Sequence, residues 1–162
     1  MSLFSLKKQS SENIRPIDRA DAISQLMIFL EYYHVDLVEM ATKNSNNKKI
    51  SANEELADFL DADKIGIQLC EPIEAGFLTI QEENSAPVLI QHLYNPIGDI
   101  TYIKYGSVTG KVRRAIAGGA NERLGMDIAS EVCFQTKEVL NKLTGVDGKN
   151  FEMIANAFFR LV

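Results

Sequence analysis

The spacing of apolar residues divides the chain into helical and extended stretches. From Pro16 to the polar stretch 44–47, apolar side chains recur every three or four residues, which predicts a long amphipathic helix with residues 32–34 near its middle. Ser51 and Glu54 match a capping box, in which each side chain satisfies a free backbone amide at a helix start. A short second helix should therefore follow, with one apolar face formed by Leu56, Phe59 and Leu60.

Between residues 65 and 105 the apolar period shortens towards two, which is typical of β-strands. Four short strands are predicted, each bounded by polar, proline or glycine punctuation. The connections are too short for helical crossovers, so the strands should form an antiparallel meander. The apolar stretches concerned are 65–70, 76–80, 87–94 and 100–105.

Helical spacing returns after the last of these strands. A short basic helix is predicted from Val108 to Ala117, followed by a longer one whose apolar stripe runs from Ile128 to Leu143 and ends at Gly145. The last helix should start after residues 147–148 and continue to the carboxyl end. Because the turn between the two long helices is short, they should form an αα-hairpin.

Together these elements predict the α+β class: N-terminal helices, a small antiparallel β-meander, and a C-terminal helical bundle or αα-hairpin. The chain divides into a flexible polar arm (1–15), an N-terminal helical segment (16–64), and the meander with the C-terminal helices (65–162). The last two should form one compact domain, since 162 residues suffice to bury a single core.

Composition narrows the classes of function. A hydrophobic content of 46% with 24% charged residues is typical of a globular protein rather than a disordered one. The net charge of -5 makes nucleic acid an unlikely partner, because nucleic-acid binders normally present a basic surface. Neither a signal-peptide pattern nor a run of about 18 apolar residues occurs, so we expect a cytoplasmic protein that spans no membrane.

Candidate chemical motifs fail on spacing. The stretch 106–111 lies between a predicted strand and helix, as a phosphate-binding loop does, but three residues separate its glycines instead of four. Val112 also occupies the place of the Ser or Thr that holds magnesium. His34 and His92 have no Cys, Asp or Glu at metal-ligand spacing. We therefore expect no enzyme activity, no cofactor and no metal site.

The remaining reactive and charged side chains favour structural roles. Cys70, at a predicted strand end, and Cys133, in a predicted helix, should be reduced and buried, because no secretory signal accompanies them. The basic cluster of Lys111, Arg113 and Arg114 is most simply a solvated helix face. An acidic protein surface is the next alternative, ahead of nucleic acid.

Three short motifs follow one another in an order known from a protein family. Residues 71–73 lie at the first predicted strand, 107–114 begin the helix after the meander, and 140–146 form the turn between the long helices. This order resembles that of the tail assembly chaperones of long-tailed bacteriophages and prophages, over roughly residues 70–162. Val108 replaces the family's proline, and Val112 stands where an acidic residue is common. The first 65 residues have no counterpart.

The resemblance implies a non-enzymatic chaperone that binds the phage tape-measure protein, keeps it soluble and recruits tail-tube protein. Such a chaperone acts in the host cytoplasm and is absent from the mature virion. A permanent subunit of the tail, baseplate or head-tail junction is the alternative, a small DNA-binding regulator is a weaker one, and a homo-oligomer stays open.

Helix-in-groove packing would place the partner on the C-terminal helices. Arg113 and Arg114 would form a polar rim around this surface, although the same apolar stripe also fits a last helix that docks into the core. The expected apolar contacts are Leu140, Leu143, Phe151, Ile154, Phe158 and Phe159.

Overall fold

A computed structural model describes residues 14–34, 64–106, 110, 112, 114 and 122–161. This part of the chain is an α+β structure, as predicted. The predictions for the polar arm up to residue 13, for the capping-box helix, and for most of the basic helix at 108–117 lie outside the described residues. The elements are α1 (Arg19–Tyr32), α2 (Lys64–Glu74), β1 (Leu78–Glu83), β2 (Ala86–Ile97), β3 (Ile100–Tyr105), α3 (Glu122–Cys133), α4 (Lys137–Asn141) and α5 (Gly145–Leu161).

The strands form an antiparallel sheet in the order β1-β2-β3, which confirms the predicted meander. Asn84 and Ser85 both have positive φ, as in the type I′ turns that match strand twist. Gly98, also at positive φ, begins the second hairpin turn. Leu78 pairs with Gln91, and Gln91 with Ile103, so these three residues form one row on the helix-covered face.

The predicted strand at 65–70 is wrong, because these residues belong to α2. A short apolar run fits either element, and tertiary packing decides between them. Leu69, Cys70 and Ile73 are buried, which is a helical spacing of one, three and four residues. Cys70 therefore lies in a helix rather than at a strand end, and α2 packs against α1 and α5.

The first helix is shorter than predicted within the described residues. Asp18 is its N-cap and Tyr32 its last residue, and His34 follows with a φ of 54°. Residues 32–34 therefore end the helix instead of occupying its middle, and Pro16 precedes it. The segment before the helix is held by the Ile17 N–H, which donates to the Glu74 carbonyl at 2.9 Å.

The long helix predicted across 128–143 is wrong, because it is divided into α3 and α4. Phe134 adopts a φ of 53°, which ends α3, and the Gln135 N–H donates to the Ser130 carbonyl at 3.2 Å. The hydroxyl of Thr136 then accepts a hydrogen bond from the Val139 N–H and caps α4. The apolar stripe continues across this break, so periodicity alone does not reveal it.

The last helix begins at Gly145, four residues earlier than predicted, and packs mainly against α2 and β2. The C-terminal helices thus cover the sheet and α2 rather than packing chiefly on each other. Ile154 is completely buried and Phe158 is 1% exposed, which confirms the reading that this helix docks into the core. None of the described helices is long and apolar enough to cross a membrane.

Candidate interaction surfaces

The apolar residues expected to contact a partner lie mostly in the core. Leu143 and Phe159 are partly buried. Arg114 has a helical backbone and is exposed. Arg113 lies outside the described residues. A partner cannot reach the core residues while α5 keeps this position. The buried members of the set are Leu140, Phe151, Ile154 and Phe158.

Aromatic packing fixes α5 to the rest of the domain. The ring of Phe158 lies 6.2 Å from that of Phe29 on α1 and 5.7 Å from that of Tyr105 on β3, between ring centroids. Phe151 adds a stacked contact to Tyr105 at 6.3 Å. Such pairs stabilise a core by about 0.5–1.5 kcal/mol beyond their buried area. The aromatic residues that were predicted to contact a partner thus lie at the centre of the fold.

A buried polar network joins the start of α5 to the sheet. The Asp147 carboxylate accepts hydrogen bonds from the backbone N–H groups of Tyr94 at 2.7 Å and Asn95 at 2.8 Å. Gln91 donates to the Asp147 carbonyl at 3.0 Å, and the Tyr105 hydroxyl donates to Gln91 at 2.9 Å. Burial raises the pKa of Asp147, which the two backbone donors partly offset.

The network has a structural role. Two consecutive amides cannot both face the same neighbour in a regular strand, and the register of β2 indeed shifts between His92 and Ile97. Asp147 satisfies the amides that this bulge displaces. From the sequence, Asp147 was predicted only to lie in the turn before the last helix. The sequence signal for the bulge was Pro96, which lies inside β2, because proline in strands marks bulges or edges.

A cleft of about 370 Å³ runs between the outer edge of β3 and the end of α3. We call it the edge cleft. Tyr102 is 51% exposed and Phe134 78% exposed, so two large rings line it in contact with solvent. Gly106 anchors the two walls, because its N–H donates to the Val132 carbonyl at 3.1 Å. Its remaining lining residues are Asp99, Ile100, Thr101, Lys104, Cys133 and Gln135.

The backbone of β3 is open along the edge cleft. The His92 N–H donates to the Phe77 carbonyl, so the backbone of His92 faces β1 and that of Gln91 faces β3. Because orientation alternates along antiparallel strands, Ile103 turns its backbone groups to β2, while Tyr102 and Lys104 turn theirs outward. Those outward groups have no backbone partner among the described residues.

A second cleft, of about 570 Å³, lies between α1 and the β1–β2 hairpin. We call it the hairpin cleft. Ile28, 61% exposed, and Tyr32, 47% exposed, are one helical turn apart on its α1 wall. Ile80 and Pro87 continue the apolar surface on the hairpin, and Glu31 and Glu82 are its charged residues. Gln25, Gln81 and Ser85 complete the lining.

Burial shifts the pKa of several described side chains. Burial raises the pKa of Cys133 to about 12 and also raises that of Cys70, so neither thiol is prone to ionise. Both are buried and unpaired, as predicted. His92 Nε2 lies 3.0 Å from the Thr79 hydroxyl, and burial lowers its pKa. Within the described ranges, no three His, Cys, Asp or Glu side chains converge as metal ligands would.

The described residues form an α+β fold in which the edge cleft and the hairpin cleft expose aromatic and aliphatic side chains. Comparisons with family models, curated proteins and solved structures gave no match to this chain.

Proposed function

We propose that this protein is a non-enzymatic bacteriophage tail assembly chaperone, which binds the tape-measure protein and assists assembly of tail-tube protein around it. It acts in the host cytoplasm and leaves before the virion is complete. The motif order over residues 71–73, 107–114 and 140–146 supports this family role. The conformation and exposure of Phe134 support the more general role of binding another protein.

Phe134 occupies a backbone conformation that a bulky side chain rarely adopts. A φ of 53° at the residue after a helix is usually left to glycine, because a side chain there costs about 1 kcal/mol. With 78% of its surface exposed, the ring regains little of this cost by burial. The ring does touch the fold at Gly106, where a Cβ would lie 2.9 Å from Phe134 Cε2, but most of it faces solvent. Backbone strain at such an exposed side chain is typical of binding sites.

The edge cleft offers both parts of a protein-binding site. The outward backbone groups of Tyr102 and Lys104 can pair with an extended segment, and the rings of Tyr102 and Phe134 can cover its side chains. Tyrosine and other aromatic residues often supply the largest contributions in such interfaces. Arg114 remains available as part of a polar rim, since it is exposed.

Co-expression with the tape-measure protein of the same phage tests the proposal. We expect the wild-type protein to move the tape-measure protein into the soluble fraction, and Phe134→Ser combined with Tyr102→Ser to lose that effect. Tyr94→Ser is the matched control, because Tyr94 is 47% exposed but does not line the edge cleft. An insoluble tape-measure protein in the presence of wild type would contradict the function.

A permanent virion subunit is the second candidate, and the position of α1 favours it. Residues 14–34 have no counterpart in the chaperone family, yet Ala22, Leu26 and Phe29 are part of the core. Arg19 also forms an ion pair with Glu74 on α2 at 2.6 Å. Mass spectrometry of purified virions separates the candidates, because a subunit is present at fixed stoichiometry and a chaperone is absent.

A further inference from the structure

The charges of the hairpin cleft have one sign. Glu31 and Glu82 line it, and both are exposed. Elsewhere on the described surface, carboxylates such as Glu83 and Glu74 form ion pairs with Lys104 and Arg19. Neither cleft carboxylate has an ion-pair partner among the described residues. The cleft therefore combines an apolar wall with negative charge that nothing described there compensates.

The apolar wall is suited to burial by a partner. Ile28 and Tyr32 project from α1 away from the core, where Ala22, Leu26 and Phe29 already fill the buried face. Both side chains remain largely open to solvent, although the Tyr32 ring also packs edge-on against Tyr33, with 5.2 Å between ring centroids. Adjacent exposed apolar groups rimmed by polar ones are typical of protein interaction sites. A tyrosine adds a hydroxyl that can hydrogen-bond at the edge of such a site.

Charge narrows the candidate occupants. Residues 51–63 of the same chain carry five carboxylates and no basic side chain, so the cleft carboxylates would repel them. Segments 1–13 and 35–50 carry two and three lysines, so charge does not exclude them, and they are competitors of a partner in the test below. A second copy would bring its own Glu31 and Glu82 together with a net charge of -5. A foreign segment that carries lysine or arginine meets no such repulsion, and opposite charge at the rim favours its approach.

We infer that the hairpin cleft binds an amphipathic segment of a partner protein in which lysine or arginine flanks apolar side chains. The apolar groups cover Ile28 and Tyr32, and the cations pair with Glu31 and Glu82. This inference rests on the proposed function only in that the protein works by binding another protein. It gives the partner a chemistry and a second place of contact besides the edge cleft.

A fluorescent peptide of about 15 residues, with leucines on one helical face and flanking lysines, is the probe for the full-length protein. A second peptide has every lysine replaced by glutamate. Fluorescence anisotropy should show that wild type binds the lysine peptide more tightly than the glutamate peptide. Ile28→Ser should weaken that binding, since the leucines lose an apolar contact. No binding of the lysine peptide, as when this chain or a second copy fills the cleft, overturns the inference.

Charge reversal gives the sharper test. Glu31→Lys with Glu82→Lys should weaken the lysine peptide about tenfold and strengthen the glutamate peptide. Glu138→Lys with Glu152→Lys is the matched control, because both carboxylates are exposed, lie outside the cleft, and change the net charge equally. A control effect as large as the cleft effect would show that net charge alone is sensed, and it overturns the inference.

The two proposals fail in distinguishable ways. If wild type and the Glu31→Lys, Glu82→Lys variant solubilise the tape-measure protein equally and bind the lysine peptide equally, the cleft inference fails and the function stands. If wild type binds the lysine peptide selectively but does not solubilise the tape-measure protein, the chaperone function fails and the cleft inference stands.

Discussion

At the scale of single residues, three positions with a positive φ differ in what surrounds them. Gly76 has a φ of 83°, and a Cβ there would lie 2.4 Å from the backbone of Arg15. Gly98 has a φ of 59° but no atom near that point. Phe134 shares the conformation without being a glycine. Residues 14–18 can therefore approach the α2–β1 turn this closely only because residue 76 is a glycine and has no Cβ.

The two glycines give a matched prediction. Gly98→Ala should lower the free energy of unfolding by about 1 kcal/mol, from backbone strain alone. Gly76→Ala should lower it by about 3 kcal/mol or more, because the methyl group also collides with a main chain that cannot move freely. Urea denaturation of the three proteins measures both. Equal losses would contradict the packing of Arg15 against Gly76.

At Phe134, substitution is expected to change the free energy of unfolding in the opposite direction. Phe134→Gly should raise the free energy of unfolding by about 1 kcal/mol, because glycine adopts this φ without strain. Phe134→Ala is the control, since alanine removes the ring and keeps the strain. The glycine variant should be the more stable of the two in thermal or urea denaturation, while both lose activity in the solubilisation assay. A glycine variant less stable than the alanine variant would contradict the backbone strain, and an alanine variant clearly less stable than wild type would show that the ring has a structural role.

At the scale of elements, β3 joins the sheet through one side only. Tyr105 and Ile103 pair with β2, while the backbone groups between them face solvent. Amide hydrogen exchange followed by NMR should therefore alternate along the strand, with slow exchange at Ile103 and Tyr105 and fast exchange at Tyr102 and Lys104. Addition of the partner protein should slow amide exchange at Tyr102 and Lys104. Uniform protection of the whole strand in the free protein would contradict an open edge.

The stability that Asp147 contributes where α5 contacts β2 should depend on pH. The folded state holds the proton of Asp147 to a higher pH than the unfolded chain does, since burial raises its pKa. The resulting stability is fully present below the ordinary carboxyl pKa of about 4 and is lost as pH rises through the folded pKa. Wild type should thus lose stability in this window relative to Asp147→Asn. Equal pH slopes for the two proteins would contradict a raised pKa at Asp147.

Elements with strong local signals were predictable from the sequence. Turn residues such as Asn84 and Gly98 indicated the hairpins, and the short apolar period of residues 100–105 predicted β3. The failures occurred where tertiary packing decides. Residues 65–70 fit a strand or a helix locally, and burial against α1 and α5 selects the helix. The apolar stripe across Phe134 hides the end of α3, because a change of φ at one residue leaves the hydrophobic pattern intact.

At the scale of the whole molecule, the chain uses its last helix as core. The family resemblance assigned Phe158 and its neighbours on α5 to a partner, while the apolar stripe by itself also fitted a helix docked into the core, since such a stripe has the same appearance in a core and in an interface. α5 covers part of the sheet face that carries Leu89, Gln91 and Ile103, together with α2 and α1. Surface apolar residues such as Ile28 and Phe134 had no pattern that distinguished them from core positions.

This assignment has a direct test. Phe158→Ala should lower the free energy of unfolding by about 3–5 kcal/mol, because it opens a cavity among Phe29, Tyr105 and α5. Phe159→Ala, at a partly buried neighbour, should cost clearly less. Far-UV circular dichroism during urea denaturation gives both values. A Phe158→Ala protein as stable as wild type would return this residue to the list of partner contacts.

The two buried thiols provide a chemical reporter for motion of the helices that carry them. Cys70 lies on the buried face of α2, and Cys133 is the last residue of α3 and lines the edge cleft. Since an alkylating reagent reacts with an exposed thiolate, labelling of either cysteine measures how often its helix lifts away. A strand bound in the edge cleft would clamp Gly106 to Val132 and slow labelling at Cys133, while Cys70 continued to react at its former rate.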